Sequence, residues 1–561
     1  SAIGLRPLKI MRLTSTGQVN HAAISPDGKY VVYVRNEGDK ESLWMTQVAA
    51  SSNVQIVPPA EVHYHGITLS HDGNFIYYVR LDKDNPEGAL YQTPAFGGNA
   101  RKLLINIYSP ISLSPDDKHL AFVRCDGCLR LGVNPGESDL IVANADGSDE
   151  KKLAAYQRPS LFSIGGPAWS PDGSVIACGS THRTAQEGGP YRNVIALRVS
   201  DGKEQPVTSQ RWRGSGVTNM RITWLADGSG IFVSGVEQGN LSQIWYLSWP
   251  GDEARNVSND LSDYVDLSIT SDSGTLATVR SDRVINLWII QNGDAAAARR
   301  ITSGAERADG ERGISWTPEG KIVYCSTAGG KENIWITRPD GAENKQLSSG
   351  PLQNIEPVVS PDGRYILWAA QFSGRWELWR MNVDGTDPKN LTNGGYYQDV
   401  SRDGMWVIYS PPNANLWKVP IDGGTPTRMT DASVLRPVIS PDGQSIACMY
   451  QAETLGIQVS SWQTKIGIFP IGGGSVTKSF DIPAPRGDFK WTPDGRAIAY
   501  VRTISGISNI WAQPIDGGPP KQLTNFQSER IFNFAWSRDG QQLAISRGVV
   551  NKDVVLITGF K

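Results

Sequence analysis

Ser25-Pro26-Asp27-Gly28-Lys29-Tyr30-Val31-Val32-Tyr33-Val34 is the stretch whose reading decides the fold. Pro26 presets φ for the first central position of a tight turn. Asp27 hydrogen-bonds the local backbone, and Gly28 takes the positive φ that follows. Tyr30 to Val34 is a short run of β-formers, mostly apolar, as a strand buried inside a sheet requires.

The phrase recurs along the whole chain. Its relatives are Ser70-His71-Asp72-Gly73, Ser114-Pro115-Asp116-Asp117, Ser170-Pro171-Asp172-Gly173, Leu225-Ala226-Asp227-Gly228 and Ser271-Asp272-Ser273-Gly274, offset by one residue. Then come Thr317-Pro318-Glu319-Gly320, Ser360-Pro361-Asp362-Gly363, Ser401-Arg402-Asp403-Gly404, Ser440-Pro441-Asp442-Gly443, Thr492-Pro493-Asp494-Gly495 and Ser537-Arg538-Asp539-Gly540. These are twelve copies, and Asp27 to Asp539 gives a mean spacing of about 46.5 residues. Such a period predicts propeller blades, each a four-stranded sheet. A third strand often carries Trp, as in Leu43-Trp44, Leu378-Trp379 and Ile510-Trp511. It ends in a second turn such as Val383-Asp384-Gly385, a hairpin signal. A fourth strand closes on Leu391-Thr392 or Leu523-Thr524.

These residues resemble the TolB-type, WD-like β-propeller repeat over the full length. The resemblance implies an all-β propeller and leaves function open, because propellers host many activities. The Leu8-Lys-Ile-Met-Arg-Leu-Thr-Ser15 opening is also similar to the C-terminal sensor regions of bacterial signalling proteins. There, a cytoplasmic Ser/Thr kinase or winged-helix domain precedes one transmembrane helix.

Met11-Arg12-Leu13-Thr14 reads as a fourth strand with no blade before it. The C-terminus supplies Gln542 to Ser546 and Val554 to Thr558, then stops one strand short. The N-terminal strand is therefore expected to complete the last blade and remove an exposed edge. The reading favours two six-bladed propellers, 1–302 and 303–561. One twelve-bladed ring over 1–561 is the alternative.

Composition excludes other classes. The chain has 561 residues with 59 Gly and 34 Pro, about one in six, which disfavours long helices. Lys+Arg 54 against Asp+Glu 56 gives a net charge of −2, so no basic excess points to nucleic acid. A hydrophobic content of 39% with 18 Trp is that of a folded chain. No apolar run approaches the length of a membrane span. The chain opens on Ser, not Met, and reads as part of a longer protein, tethered by an upstream segment and placed on the periplasmic or extracellular side of a bacterium.

Turns of the repeat share one face. The longer, unlike loops share the other, where binding is expected. Candidates there are Tyr191, Arg192, Arg211, Trp212, Arg213 and Trp376. Arg35, Arg80, Arg124, Arg280, Arg502 and Arg547 recur at the end of the second strand. They read either as a ring of guanidinium groups at a channel mouth or as blade-packing residues.

Catalytic signatures are missing. No Gly-x-Ser-x-Gly nucleophile elbow occurs. His63-Tyr64-His65 lacks a third metal ligand nearby. No cofactor motif is present. Cys125 and Cys128 are spaced for a small disulfide, whereas Cys178, Cys325 and Cys448 read as buried strand residues. The expected function is non-enzymatic recognition of a protein, peptide or small ligand, as a sensor. A TolB-like assembly scaffold and an enzyme with its site at a channel mouth are the alternatives.

Overall fold

The structure is a computed structural model. It describes residues 8–38, 40–50, 52–125, 130–131, 136–182, 191–213, 220–236, 241–258, 260, 262–291, 293–304, 307–350, 353–372, 375–411, 415–450, 457–458, 465–482 and 488–560. Among these, one three-residue 3-10 turn, Ala295–Ala297, is the only helix; the rest of the regular structure is strand.

The turn phrase works as a small hydrogen-bonded device. Ser25 Oγ donates to Asp27 at 2.7 Å and accepts the Tyr30 N–H at 3.0 Å. Asp27 accepts the Lys29 N–H at 3.1 Å, and Gly28 sits at φ 72°. The same bonds recur at Ser114 with Asp116, Ser360 with Asp362 and Ser537 with Asp539. In the offset copy, Thr270 takes the serine place, donating to Asp272 at 2.6 Å and accepting from Thr275 N. Ser273 there occupies the glycine position at φ 53°. The register of that copy is thus Thr270-Ser271-Asp272-Ser273. Its glycine was a misleading marker, because the hydroxyl and the carboxylate set the turn.

Twelve four-stranded blades result. The first is Val19–Ile24, Tyr30–Asn36, Glu41–Gln47 and Asn53–Ala60, all antiparallel. Apolar residues of the inner strands are almost wholly buried, such as Val31, Val32 and Val34 at 0% exposure. Neighbouring blades pack face to face through these strands. One cluster joins Val32, Val34, Leu43 and Met45 to Tyr64, Ile76 and Tyr78 of the next blade.

The chain divides into two compact units. Unit 1 is Ser1–Cys128, Pro135–Asp282 and Val550–Lys561; unit 2 is Leu129–Asn134 and Arg283–Val549. The division thus lies at Asp282/Arg283 and Val549/Val550, not at 302/303. Two long strands explain the difference: Leu276–Gln291 and Gln542–Thr558 each run through it without a turn. In unit 1, Asp263–Ile269 pairs with the start of Leu276–Gln291, and Lys9–Arg12 pairs with Val555 to Thr558. The N-terminal strand therefore closes the sixth blade and not the last, because the C-terminal strand crosses from unit 2 into unit 1 before the two pair. In unit 2, Arg530–Trp536 pairs with Leu543 to Gly548, and Arg299–Arg300 pairs with Trp288 and Ile289. Each unit holds six inner strands in a closed ring. In unit 2, Arg307–Trp316 touches both Asn354–Val359 and Arg530–Trp536. In unit 1, Val19–Ile24 touches both His63–Leu69 and Asp263–Ile269.

Candidate functional site: two channel mouths

The fixed turn register places a fixed ring of residues in each channel. Four residues before the turn serine or its equivalent stand His21, Gly66, Pro110, Gly166, Arg221 and Asp266 in unit 1. In unit 2 the same position is Gly313, Glu356, Tyr397, Arg436, Asp488 and Asn533. Most inner strands bulge here. Asp266, Glu356, Tyr397 and Arg436 sit at φ 60°, 55°, 55° and 57°, beside register shifts in their strands. A bulge turns a side chain out of the sheet's alternation and aims it elsewhere, here toward the ring axis.

In unit 1 the ring closes on one arginine. Arg221 Nε lies 2.6 Å from Asp266, and the guanidinium donates to His65 O at 2.8 Å and Gly165 O at 3.1 Å. His21 Nδ1 lies 2.8 Å from the same carboxylate. Arg221 thus ties the fifth blade to the first, second, fourth and sixth. Gly66 makes room for it, since a Cβ there would meet Pro110 at 2.5 Å and Arg221 Nη1 at 3.0 Å. Burial pushes the Asp266 carboxyl up, but Arg221 and then His21 outweigh this and hold it at about 2. Burial, then the charges of His21 and Arg221, push His65 down to about 4.

In unit 2 the corresponding cation is Arg436. It lies 2.5 Å from Asp488 and 3.9 Å from Glu356, and it stacks over Tyr397 at 4.4 Å. Burial raises the Glu356 carboxyl, and the attraction of Arg436 and Arg312 offsets only part of that.

Between each ring and the turn face lies a cavity. That of unit 1 is about 350 Å³ and is lined largely by apolar side chains and turn prolines, among them Ile24, Leu69, Ile111, Leu267, Pro26 and Pro115. Its polar members are occupied: Arg221 as above, and His71 by Asp117 at 2.6 Å. That of unit 2 is about 470 Å³ and is lined by Arg402, Arg538, Lys490, Asp399 and Gln398 together with Trp316, Trp491 and prolines. The indoles brace the wall: Trp316 Nε1 donates to Ala535 O and Trp491 Nε1 to Val438 O, each at 2.9 Å. Asp399 accepts from Val400 N at 2.8 Å and Ile439 N at 2.7 Å, so its oxygens are engaged, and burial raises its pKa.

The residues expected from sequence fall elsewhere. Arg35, Arg80 and Arg502 lie over Trp44, Tyr91 and Trp511 of their own blades at 5.9, 4.4 and 5.1 Å. Register explains this: Arg80 faces Ala89, so Tyr91 is its diagonal neighbour on the third strand. Arg124 pairs with Glu150 at 2.8 Å, Arg280 with Asp282 at 2.9 Å and Arg547 with Glu529 at 3.2 Å. None of the six lines either cavity. Arg211 stacks on Tyr191 at 4.3 Å, and Tyr191 stacks on His182 at 4.8 Å. Trp212 is 1% exposed, edge-on to Trp245, and Arg192 is buried opposite it. Trp376 packs against a core cluster. The side chain of Arg213 and most of the long loops lie outside the described residues. Cys125 is disulfide-bonded, and Cys128 lies outside the described residues. Cys178, Cys325 and Cys448 are buried free thiols. Among the described residues, no group of three His, Cys, Asp or Glu could hold a metal ion.

No family model matches the chain. It is 25% identical over 192 residues to the uncharacterized protein Atu1656 of Agrobacterium fabrum, covering 33% of this chain and 53% of that one. Over 125 residues it is 31% identical to the Tol-Pal system protein TolB of Anaeromyxobacter dehalogenans, 22% of this chain and 25% of that protein. Over 225 residues it is 22% identical to the uncharacterized peptidase YuxL of Bacillus subtilis, 40% of this chain and 32% of that protein. The chain thus spans about half the length of the first of these relatives. Among solved structures, TolB from Acinetobacter baumannii shares 15% identity at a TM-score of 0.30, covering 64% of this chain and 79% of that one. The β-propeller domain of the Trilobed protease from Pyrococcus furiosus shares 13% at 0.32, covering 67% and 98%. No helix of the described residues is long and apolar enough to cross a membrane.

Proposed function

We propose that the chain is a non-enzymatic recognition module, a sensor segment on the extracytoplasmic side, and that its ligand enters the channel mouth of unit 2 on the turn face, opposite the long-loop face expected from sequence, most of whose loops lie outside the described residues. The observation that supports this reading is the contrast in wiring. Unit 1 ties its ring arginine to a carboxylate and two carbonyls, whereas the unit 2 mouth holds three cations, Arg402, Arg538 and Lys490, that none of its described carboxylates pairs within 4 Å. Arg402 and Arg538 are exposed at the rim and Lys490 is half-buried, and a concave site with a few convergent polar groups is a common binding arrangement.

A thermal-shift screen of mixed peptides, glycans and small metabolites tests the reading, run on the wild type and on Ser315→Trp, which fills the mouth from the wall of the cavity. Ligands that stabilise the wild type and not the filled variant support it. A screen without stabilising ligands, or ligands indifferent to the filling, overturns it.

A further inference from the structure

Seven of the twelve turns carry Pro after the serine or its equivalent: Pro26, Pro115, Pro171, Pro318, Pro361, Pro441 and Pro493. Two carry Arg instead, Arg402 and Arg538, and both belong to unit 2. They are the third and sixth turns of a six-bladed ring, so they stand on opposite sides of the channel. Both long side chains reach over the mouth. Arg402 Nε donates to Ser440 O of the following blade at 3.3 Å. Arg538 Nη2 donates to Ser360 O at 3.0 Å, two blades onward around the ring. Each guanidinium has five donors, and each is held by a single bond to a neutral carbonyl. Burial, and then the charge of Arg402, push Arg538 down from its ordinary value, which places the two cations within mutual influence. Lys490 adds a third cation from the blade between Arg436 and Arg538. Below them, Gln398 is 5% exposed, and its Oε1 is buried with no hydrogen-bond partner. Its Nε2 already donates to Glu356 O, so Oε1 is left as an acceptor at the cavity floor, suited to a donor rather than an anion oxygen.

We propose that the mouth of the unit 2 channel is an oxyanion site in which Arg402 and Arg538 grip a small multivalent anion, carboxylate or phosphate, from opposite sides, with Lys490 as the third contact. This rests on the functional reading above and gives its ligand a chemical class. Planar guanidinium forks match both carboxylate and phosphate oxygens. A cavity of about 470 Å³ holds a compact ligand of that kind.

The test is calorimetric titration of the full chain with citrate, with pyrophosphate and with the uncharged triethyl citrate. Citrate or pyrophosphate, or both, should bind, and the ester should not; the better of the two anions tells carboxylate from phosphate. Arg402→Pro and Arg538→Pro install the residue that most other turns carry, so folding is preserved. Each should weaken binding about tenfold and the pair about a hundredfold, from the usual worth of charge-assisted hydrogen bonds. Lys490→Met should cost several-fold, and His71→Ala at the unit 1 mouth should change nothing. Absence of binding by both anions, or binding indifferent to the double variant, overturns the proposal. If ligands from the mixed screen still depend on an open mouth in that case, the site stands and only its anionic class falls.

Discussion

Arg221 in unit 1 and Arg436 in unit 2 are ring arginines at the same repeat position, one per channel, yet their surroundings differ. Arg221 has one carboxylate, Asp266, and completes itself with backbone carbonyls from two further blades. Arg436 stands among Asp488, Glu356 and Tyr397 and leaves the blades' carbonyls alone. Above Arg221 the cavity wall mixes apolar residues and prolines with His71 and hydroxyl side chains and carries no further Arg or Lys; above Arg436 it carries three cations. One repeat therefore builds a structural plug in the first ring and a charged floor beneath a polar pocket in the second. Blade geometry is held constant while the residues at two positions, the ring position and the second turn position, set the chemistry.

The largest expected effect follows from that wiring. Asp266→Ala leaves the Arg221 guanidinium buried without its only carboxylate, and the loss should be about 3–5 kcal/mol. Asp488→Ala leaves Glu356 beside Arg436 and should cost about half as much, since a carboxylate remains. Urea unfolding followed by Trp fluorescence measures both, and equal losses would break the distinction.

A smaller effect separates the channels by pH. Asp266 is held at about 2, so its contribution is full above the ordinary carboxylate range and is lost as pH falls from about 4 toward 2. It amounts to about 2 kcal/mol. His65, pushed down to about 4, adds to the loss as pH falls below the ordinary histidine range, because the unfolded chain binds its proton first. Glu356 and Asp399 in unit 2 are raised by burial, so they favour the protonated form. Their contribution is full at low pH and is lost as pH rises through their raised values. Melting curves across pH 2–7 should show Asp266→Asn flattening the acid limb. Glu356→Gln should raise stability near pH 7 relative to its value at pH 4.

The smallest effect should be the same in both rings. Ser114→Ala and Ser360→Ala each remove a hydroxyl that bonds the turn aspartate and a backbone N–H. Each should cost about 1 kcal/mol. A clear difference between them would mean that the turns, and not only the channels, have diverged.

The fold was legible in sequence because turn chemistry repeats: Ser, Asp and Gly at fixed offsets announce each blade. The pairing of Lys9–Arg12 with the C-terminal strand was also legible, since a lone fourth strand at one end matches a missing one at the other, but the blade they complete is the sixth and not the last. The exchange of strands between units was not, because Leu276–Gln291 and Gln542–Thr558 look like ordinary hairpin segments in a one-dimensional reading. The ring position escaped notice because it has no residue preference; His21, Gly66, Arg221 and Glu356 share nothing but a count of four back from the turn serine. Arg402 and Arg538 were in plain view as turn variants. Their opposition became visible only once the copies were grouped in sixes. The recurrent second-strand arginines are held within the sheets, three over aromatic rings of their own blades and three by carboxylates.

The most direct test of the contrast between the channels is a crystal of the full chain soaked in selenate and measured at the selenium edge. An anomalous peak is expected between Arg402, Arg538 and Lys490 and none above Arg221. A mouth of unit 2 without a peak, or a peak of equal height in unit 1, would contradict that contrast.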